Sequence, residues 1–102
     1  MRSIIFITAG NKKEARRIAR ALIKSKLAAC VNIIAGVESF FRWQGKVDMA
    51  KEATLIIKSK KEKMPEIIKL VKSMHSYEVP EIISFPITAG FKPYLKWIDE
   101  SC

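Results

Sequence analysis

The order of apolar and amphipathic segments is the feature of this sequence that most restricts its fold. Arg2–Thr8 contains four consecutive apolar residues, a continuity typical of a strand covered on both faces. Asn11 then offers a helix N-cap, and Glu14 three residues later completes a capping-box pattern. Apolar residues at helical spacing follow at Ala15, Ile18, Ala19, Leu22 and Ile23. The pattern predicts a helix lying on a sheet.

Two long strands are predicted in the middle of the chain. The apolar run Ala28–Ile34 predicts the first, and Ala35-Gly36 predicts a bulge or bend in it. The alternating segment Val37–Gln44 continues to a hairpin turn at Gln44-Gly45, where glycine supplies a positive φ. The return strand runs through Ala53–Lys58. Little between the two runs interrupts them, so we expect a long hairpin.

Aromatic side chains occupy both faces of the Val37–Gln44 segment. Phe41 and Trp43 lie on one face and Phe40 on the other, because side chains alternate along a strand. A single helical layer covers only one face of a sheet. The second face therefore requires another subunit, and we expect a homo-oligomer.

A second helix carries its apolar face from Met64 to Met74, and two starts are open for it. A start at Ser59, with Glu62 as its capping-box partner, places Pro65 inside the helix at a cost in stability. A later start places Pro65 in the first turn, where proline is tolerated. The later start is favoured.

The last strand is predicted over Glu81–Thr88, and Pro86 within it requires a sheet edge because proline donates no hydrogen bond. Pro93 can open a short C-terminal helix. The resulting order, β-α-β-β-α-β plus a terminal helix, is the ferredoxin-like α+β arrangement. A chain of 102 residues, 49% hydrophobic and 28% charged, suits one soluble globular domain over residues 1–102.

The net charge of +9, from 19 basic and 10 acidic residues, attracts phosphate, nucleic acid or acidic surfaces. The basic residues are spread along the sequence without a long block, so solvated helix faces explain them equally well. RNA-recognition domains of the same fold order stack bases on aromatic residues of the third strand. The corresponding segment Lys51–Lys58 has none, so the standard RNA-binding surface is missing. A nucleic-acid binder driven by net charge is left as the third and least favoured function.

The two cysteines, Cys30 and Cys102, do not make a disulfide framework. The apolar run Ile4–Ile7 is far too short to span a bilayer. Met1-Arg2 before so brief a run, without a small-residue cleavage site, is a poor signal peptide. We expect a cytoplasmic protein with free thiols and no membrane association.

The sequence has no phosphate-binding glycine fingerprint, Cys-x-x-Cys pair, His-Glu-x-x-His motif or nucleophile elbow. A Cys30–His75 pair is the remaining candidate, but a thiol within an apolar strand tends to be inert. We expect no enzymatic activity.

Polar groups concentrate in the stretch His75–Ile83. It holds the only histidine, two acidic residues and a tyrosine beside Pro80. Such a loop can bind a cation or position a polar ligand. The alternative interpretation is a well-packed helix-to-strand connection whose polar groups are satisfied locally.

Five segments, in order and at matching spacing, resemble the CutA family, small proteins associated with tolerance to divalent cations. They are Leu27-Ala28-Ala29-Cys30-Val31-Asn32, Trp43-x-Gly45-Lys46, Leu55-Ile56-Ile57-Lys58, His75-Ser76-Tyr77-Glu78-Val79-Pro80-Glu81-Ile82 and Tyr94-Leu95-x-Trp97-Ile98. Ser76 departs from the family pattern, which usually has proline between the histidine and the tyrosine. The net basic charge also differs from that of acidic members.

The resemblance implies a tight trimer whose long hairpins pair across subunits, and binding of copper or another divalent cation without a secure chemical reaction. The implied candidate ligands are Cys30, His75 and Glu78. The implied residues of an intersubunit ligand cleft are Trp43, Lys58 and Tyr77. The architecture also resembles trimeric PII-type signalling proteins. The alternative function is therefore a sensor that binds a small anionic ligand or a partner protein between subunits.

Overall fold

Four strands, three helices and one short 3-10 turn follow one another in the computed structural model, which describes all residues from 1 to 102. The strands are β1 (Arg2–Ala9), β2 (Cys30–Trp43), β3 (Lys46–Lys60) and β4 (Ile82–Pro86). The helices are α1 (Lys12–Lys24), α2 (Met64–Met74) and α3 (Lys92–Ser101), and the 3-10 turn Lys61–Lys63 leads into α2. The predicted ferredoxin-like order with its terminal helix is confirmed.

The strands form one antiparallel sheet in the order β2-β3-β1-β4. The hairpin arms β2 and β3 are 14 and 15 residues long. Their register shifts between Ile34 and Val37, where Gly36 has a φ of 72°, so the predicted bulge is confirmed. Gln44 and Gly45 both have positive φ, as a two-residue hairpin turn requires.

The core lies between one face of the sheet and helices α1 and α2. β1 and the second half of β3 bury every second residue, as the two-residue period of a strand dictates. Thirteen buried residues form the main cluster: Ile5, Ile7, Ala9, Ala15, Ile18, Leu22, Leu27, Ala28, Ala53, Leu55, Ile57, Ile67 and Val71. Helices α1 and α2 therefore cover one and the same face of the sheet.

We call the opposite face of the sheet, which carries Ile4, Phe6 and Thr8 of β1, the open face. Helix α3 lies over one end of it. Arg2 holds the helix there, because its guanidinium donates to the Leu95 carbonyl at 3.0 Å and pairs with Asp99 at 2.6 Å. The rest of the open face has no helical cover.

Helix starts follow the predicted chemistry. The Oδ1 atom of Asn11 accepts a hydrogen bond from the Glu14 N–H at 2.8 Å, which caps α1. Pro65 and Pro93 both lie in the first turn of their helices, so the later start of α2 is confirmed. None of the helices has the length and apolar character needed to cross a membrane.

Two predicted strand boundaries differ from the structure. β2 begins at Cys30, two residues later than expected, because Leu27 belongs to the turn that closes α1 and its N–H bonds to the Leu22 carbonyl at 3.0 Å. β4 covers only Ile82–Pro86, at a sheet edge as Pro86 requires.

Large apolar side chains of the hairpin are exposed in the single chain. Phe40 is 71% exposed, Trp43 49% and Val47 70%, and Phe85 of β4 is 46% exposed. The aromatic residues predicted to be covered on both faces are thus uncovered within one subunit. Their cover by further subunits stays a prediction.

Candidate functional site

The loop between α2 and β4 begins with a fully buried imidazole. His75 Nε2 lies 2.7 Å from the Thr8 carbonyl oxygen, and the Tyr77 N–H donates to His75 Nδ1 at 3.0 Å. Because Nδ1 accepts a hydrogen bond, the proton of the neutral ring lies on Nε2, which donates to Thr8. The side chain has no exposed surface. Both ring nitrogens are therefore engaged within the subunit.

Glu14 ties this loop to the start of α1. It is 6% exposed, and its carboxylate accepts hydrogen bonds from the Gly10 N–H at 3.0 Å and the Ser76 N–H at 3.2 Å. Burial disfavours the charged form, but these hydrogen bonds and the nearby His75 outweigh it, so the pKa of Glu14 is lowered. Ser76 supplies the second of these N–H groups, which a proline at this position would lack.

A second buried carboxylate, Glu52 of β3, lies beside the Tyr77 hydroxyl and is 8% exposed. Burial, a hydrogen bond to Glu52 and the charge of that carboxylate raise the pKa of Tyr77 to about 12. The phenol therefore stays protonated at neutral pH. The loop and the hairpin thus bring Tyr77 beside Glu52.

An open groove of about 820 Å³ separates the hairpin from the loop, and Trp43, Tyr77 and Glu78 all line it. Its carboxylates are Asp48, Glu52, Glu78 and Glu81, and its one basic residue is Arg42. Phe40 and Phe41 add aromatic walls. Carboxylates and aromatic faces both attract cations, so the groove suits a cationic group although the whole chain carries +9.

Lys58 lies apart from this groove, beside Cys30. Its Nζ atom is 4.0 Å from the Cys30 sulfur and donates a hydrogen bond to the Asn32 side chain. Burial, together with the charge and hydrogen bonding of the Cys30 sulfur, raises the pKa of Tyr94 on α3. These four side chains form a second polar cluster, and Cys30 and Cys102 are both free thiols.

The three candidate metal ligands do not meet within one subunit. Cys30 faces Lys58, the His75 ring is enclosed, and Glu78 is exposed at the groove. No group of three or more histidine, cysteine, aspartate or glutamate side chains could hold a metal ion within this subunit. The ligand assignment stays a prediction that requires a second subunit or a rearranged loop.

The residues Glu14 and Glu52 were missed as site residues by sequence reasoning. The capping-box pattern identified Glu14 as a helix-start residue, but its side chain reaches Gly10 and Ser76 rather than the N-cap amide. Strand alternation gave no signal that Tyr77 would cover Glu52. Of the three cleft candidates, the structure brings Trp43 and Tyr77 to one groove and places Lys58 elsewhere.

Comparison with known families agrees with this fold. Residues 3–101 match the family described as CutA1 divalent ion tolerance protein. The chain belongs to this family. The predicted resemblance to CutA is thereby confirmed, and its relatives carry the name of divalent-cation tolerance proteins.

CutA relatives match over the full chain. The divalent-cation tolerance protein CutA of Archaeoglobus fulgidus is 48% identical over 99% of this chain and 98% of its own length. Its counterpart from Thermus thermophilus is 42% identical over 99% of this chain and 98% of its own length. Solved CutA structures from these two organisms, each covering 99% of this chain and 98% of theirs, have TM-scores of 0.96 and 0.97.

Other CutA relatives are longer and differ in the compartment they are named for. The chloroplastic protein CutA of Arabidopsis thaliana is 39% identical over 96% of this chain but only 54% of its own length. This chain thus spans about half of that relative. The Archaeoglobus fulgidus structure is named for a periplasmic protein. The cytoplasmic location of this chain stays a prediction.

Proposed function

We propose that this protein is a non-enzymatic, cytoplasmic homotrimer that binds divalent cations, copper above all, and contributes to metal-ion tolerance. Membership of the CutA1 family supports the link to divalent cations. The exposed aromatic surface of the hairpin, with Phe40 at 71% and Trp43 at 49%, is the observation that carries the assembly. Contiguous exposed apolar surface of this kind marks an interface in soluble proteins.

The metal site of this proposal is completed between subunits. The candidate ligands of one chain lie apart, whereas a trimer supplies three copies of each. Glu78 is exposed and Cys30 is half-buried, so both can face a neighbouring chain. His75 can bind the same metal ion only after the hydrogen bond from the Tyr77 N–H to its Nδ1 atom is broken. Imidazole and carboxylate suit Cu(II) or Zn(II), and a thiolate suits Cu(I).

Calorimetric titration of copper into the parent protein tests this site. We expect His75→Ala, Cys30→Ser and Glu78→Gln to weaken binding, and Glu100→Gln, which removes an exposed carboxylate of α3, to leave it unchanged. Copper should outcompete zinc and cobalt, because Cu(II) leads the divalent affinity order. Equal binding in the parent and in all three ligand variants shows that these residues are structural.

A second candidate function is a PII-like sensor that binds its ligand in the groove lined by Trp43 and Tyr77. The groove has four carboxylates and one basic residue, Arg42. This excess of negative charge favours an organic cation or a basic partner segment over the anionic ligand expected from the resemblance. A thermal-shift screen of amines against phosphates and carboxylates separates these classes. For a sensor we expect amines to stabilise the parent and Trp97→Ala but not Trp43→Ala. This result, together with a failure to bind copper, would favour the sensor function over metal tolerance.

A further inference from the structure

The net charge of this protein is concentrated on one side of the fold. We define the helical layer as residues 12–26 and 61–74, which are α1, α2 and their adjoining turns. It carries eleven of the 19 basic residues: Lys12, Lys13, Arg16, Arg17, Arg20, Lys24, Lys26, Lys61, Lys63, Lys69 and Lys72. Its acidic residues are Glu14, Glu62 and Glu66. The rest of the chain is nearly balanced, with eight basic and seven acidic residues.

Most basic side chains of the helical layer are free to meet an external partner; Lys72 instead donates to the Glu78 carbonyl. Ten of the eleven are exposed, and Lys63 is half-buried. The three salt bridges of the structure involve none of them. Glu14 is turned inward, and Glu62 is paired with the N-terminal ammonium at 2.7 Å, so Glu66 is the one unpaired acid of the layer.

Folding creates this surface from residues that are scattered in the sequence. Helices α1 and α2 contact each other and bury their apolar faces in one cluster, which turns both basic faces outward. Lys12, Arg16, Arg20 and Lys24 are four residues apart and share one face of α1. These four residues span about 18 Å of helix. Phosphates along one strand of duplex DNA follow one another every ~3.4 Å of the duplex axis. The row is therefore long enough to reach several consecutive phosphates.

The composition of the helical layer discriminates between anionic partners. It contains no aromatic residue on which an unpaired base could stack, and base stacking is a main source of affinity for single strands. Membrane-surface helices insert an apolar face, whereas Ile18 and Leu22 of α1 and Ile67 and Val71 of α2 are fully buried. Ile23 and Ile68 are the only large apolar side chains that the layer exposes, at 44% and 40%, so charge dominates its surface. Charge is the basis of backbone binding.

We propose that the helical layer is a docking surface for the phosphate backbone of double-stranded nucleic acid, bound without reading of the bases. The sheet face used by RNA-recognition domains has no part in it. The inference is independent of the metal function, and it is compatible with the trimer because an interface on the open face leaves the helical layers outside.

A matched pair of triple variants tests the surface. Lys12→Gln, Lys24→Gln and Lys69→Gln together remove three charges from the helical layer. Lys46→Gln, Lys51→Gln and Lys96→Gln remove three equally exposed lysine charges elsewhere. Binding of a fluorescent duplex of about 20 base pairs is measured by anisotropy between about 50 and 200 mM salt. Circular dichroism and sedimentation confirm that both variants keep the fold and assembly of the parent.

We expect the helical-layer variant to bind at least about tenfold more weakly at low salt, with a shallower dependence of affinity on salt, and the control variant to bind within about twofold of the parent. Equal losses in the two variants overturn the proposal, since net charge alone then explains the binding. Tighter binding of a single strand of equal length, of phosphatidylserine vesicles or of poly-glutamate overturns the assignment to duplex nucleic acid.

Discussion

The Nδ1 atom of His75 lies 3.9 Å from Oε1 of Glu14, yet its hydrogen bond comes from the Tyr77 N–H. The Glu14 carboxylate instead accepts hydrogen bonds from two backbone N–H groups. One belongs to Gly10 in the β1–α1 connection, and the other belongs to Ser76 in the loop after α2. The imidazole and the ionised carboxylate are thus buried side by side, each hydrogen-bonded to backbone groups. This arrangement agrees with the locally satisfied interpretation of the loop.

Replacing the carboxylate of Glu14 with an amide is expected to destabilise the protein at neutral pH. In Glu14→Gln the amide N–H₂ faces one of the two backbone donors, which costs about 1–3 kcal/mol of unfolding free energy. The pKa of Glu14 is lowered in the folded state, so its contribution is present above pH 4.5 and is lost as the pH falls through the folded value. Urea unfolding at fixed protein concentration should show the gap between parent and variant narrowing in acid. A difference in unfolding free energy that stays constant with pH contradicts the prediction. Glu66→Gln, which changes an exposed carboxylate of α2, serves as the control.

The two tyrosines should titrate abnormally late. Burial and Glu52 raise the pKa of Tyr77 to about 12, and burial and Cys30 raise that of Tyr94. A raised folded pKa means that stability from the neutral phenols is complete below pH 10 and is lost as the pH rises further. Tyrosinate absorbance of Tyr94→Phe, which isolates Tyr77, should therefore rise near pH 12 when folded and near pH 10 in guanidinium. Coincident midpoints refute the Tyr77–Glu52 pair.

The sequence predicted those parts of the fold that depend on local patterns. Period-two alternation in β3, the Asn11 cap and the proline at the start of α2 each act over a few residues, and all three are confirmed. The bulge near Gly36 was predicted for the same reason, because its conformation is a property of adjacent residues.

Contacts between distant segments were beyond such reasoning. Glu14 and Ser76, or Glu52 and Tyr77, meet only after the sheet has formed, and no spacing rule encodes their approach. The scattered lysines and arginines likewise become one surface only when α1 packs beside α2. The candidate ligand His75 was read as an available imidazole because its two backbone partners cannot be seen in the sequence.

The hairpin turn offers a test of backbone strain without side-chain crowding. Gly45 has a φ of 78°, and a Cβ atom added there meets nothing within 4 Å. Gly45→Ala should therefore cost about 1 kcal/mol of unfolding free energy through its backbone conformation alone. Gly10→Ala, where the new Cβ would make only ordinary contacts at 3.6 Å, is the matched control and should be near neutral. Equal unfolding midpoints for the two variants would show that the turn relaxes.

The aromatic surface of the hairpin should decide the oligomeric state. Phe40 and Trp43 are well exposed in one chain, and burying two such side chains contributes several kcal/mol to an obligate interface. The double variant Phe40→Glu and Trp43→Glu places charges there and should sediment as a monomer at micromolar concentration, whereas the parent sediments as a trimer. Ile23→Glu changes an apolar side chain of the helical layer that is 44% exposed, and it should leave the trimer intact. Loss of assembly in Ile23→Glu with retention in the hairpin variant would place the interface on the helices, and the basic surface would then be covered.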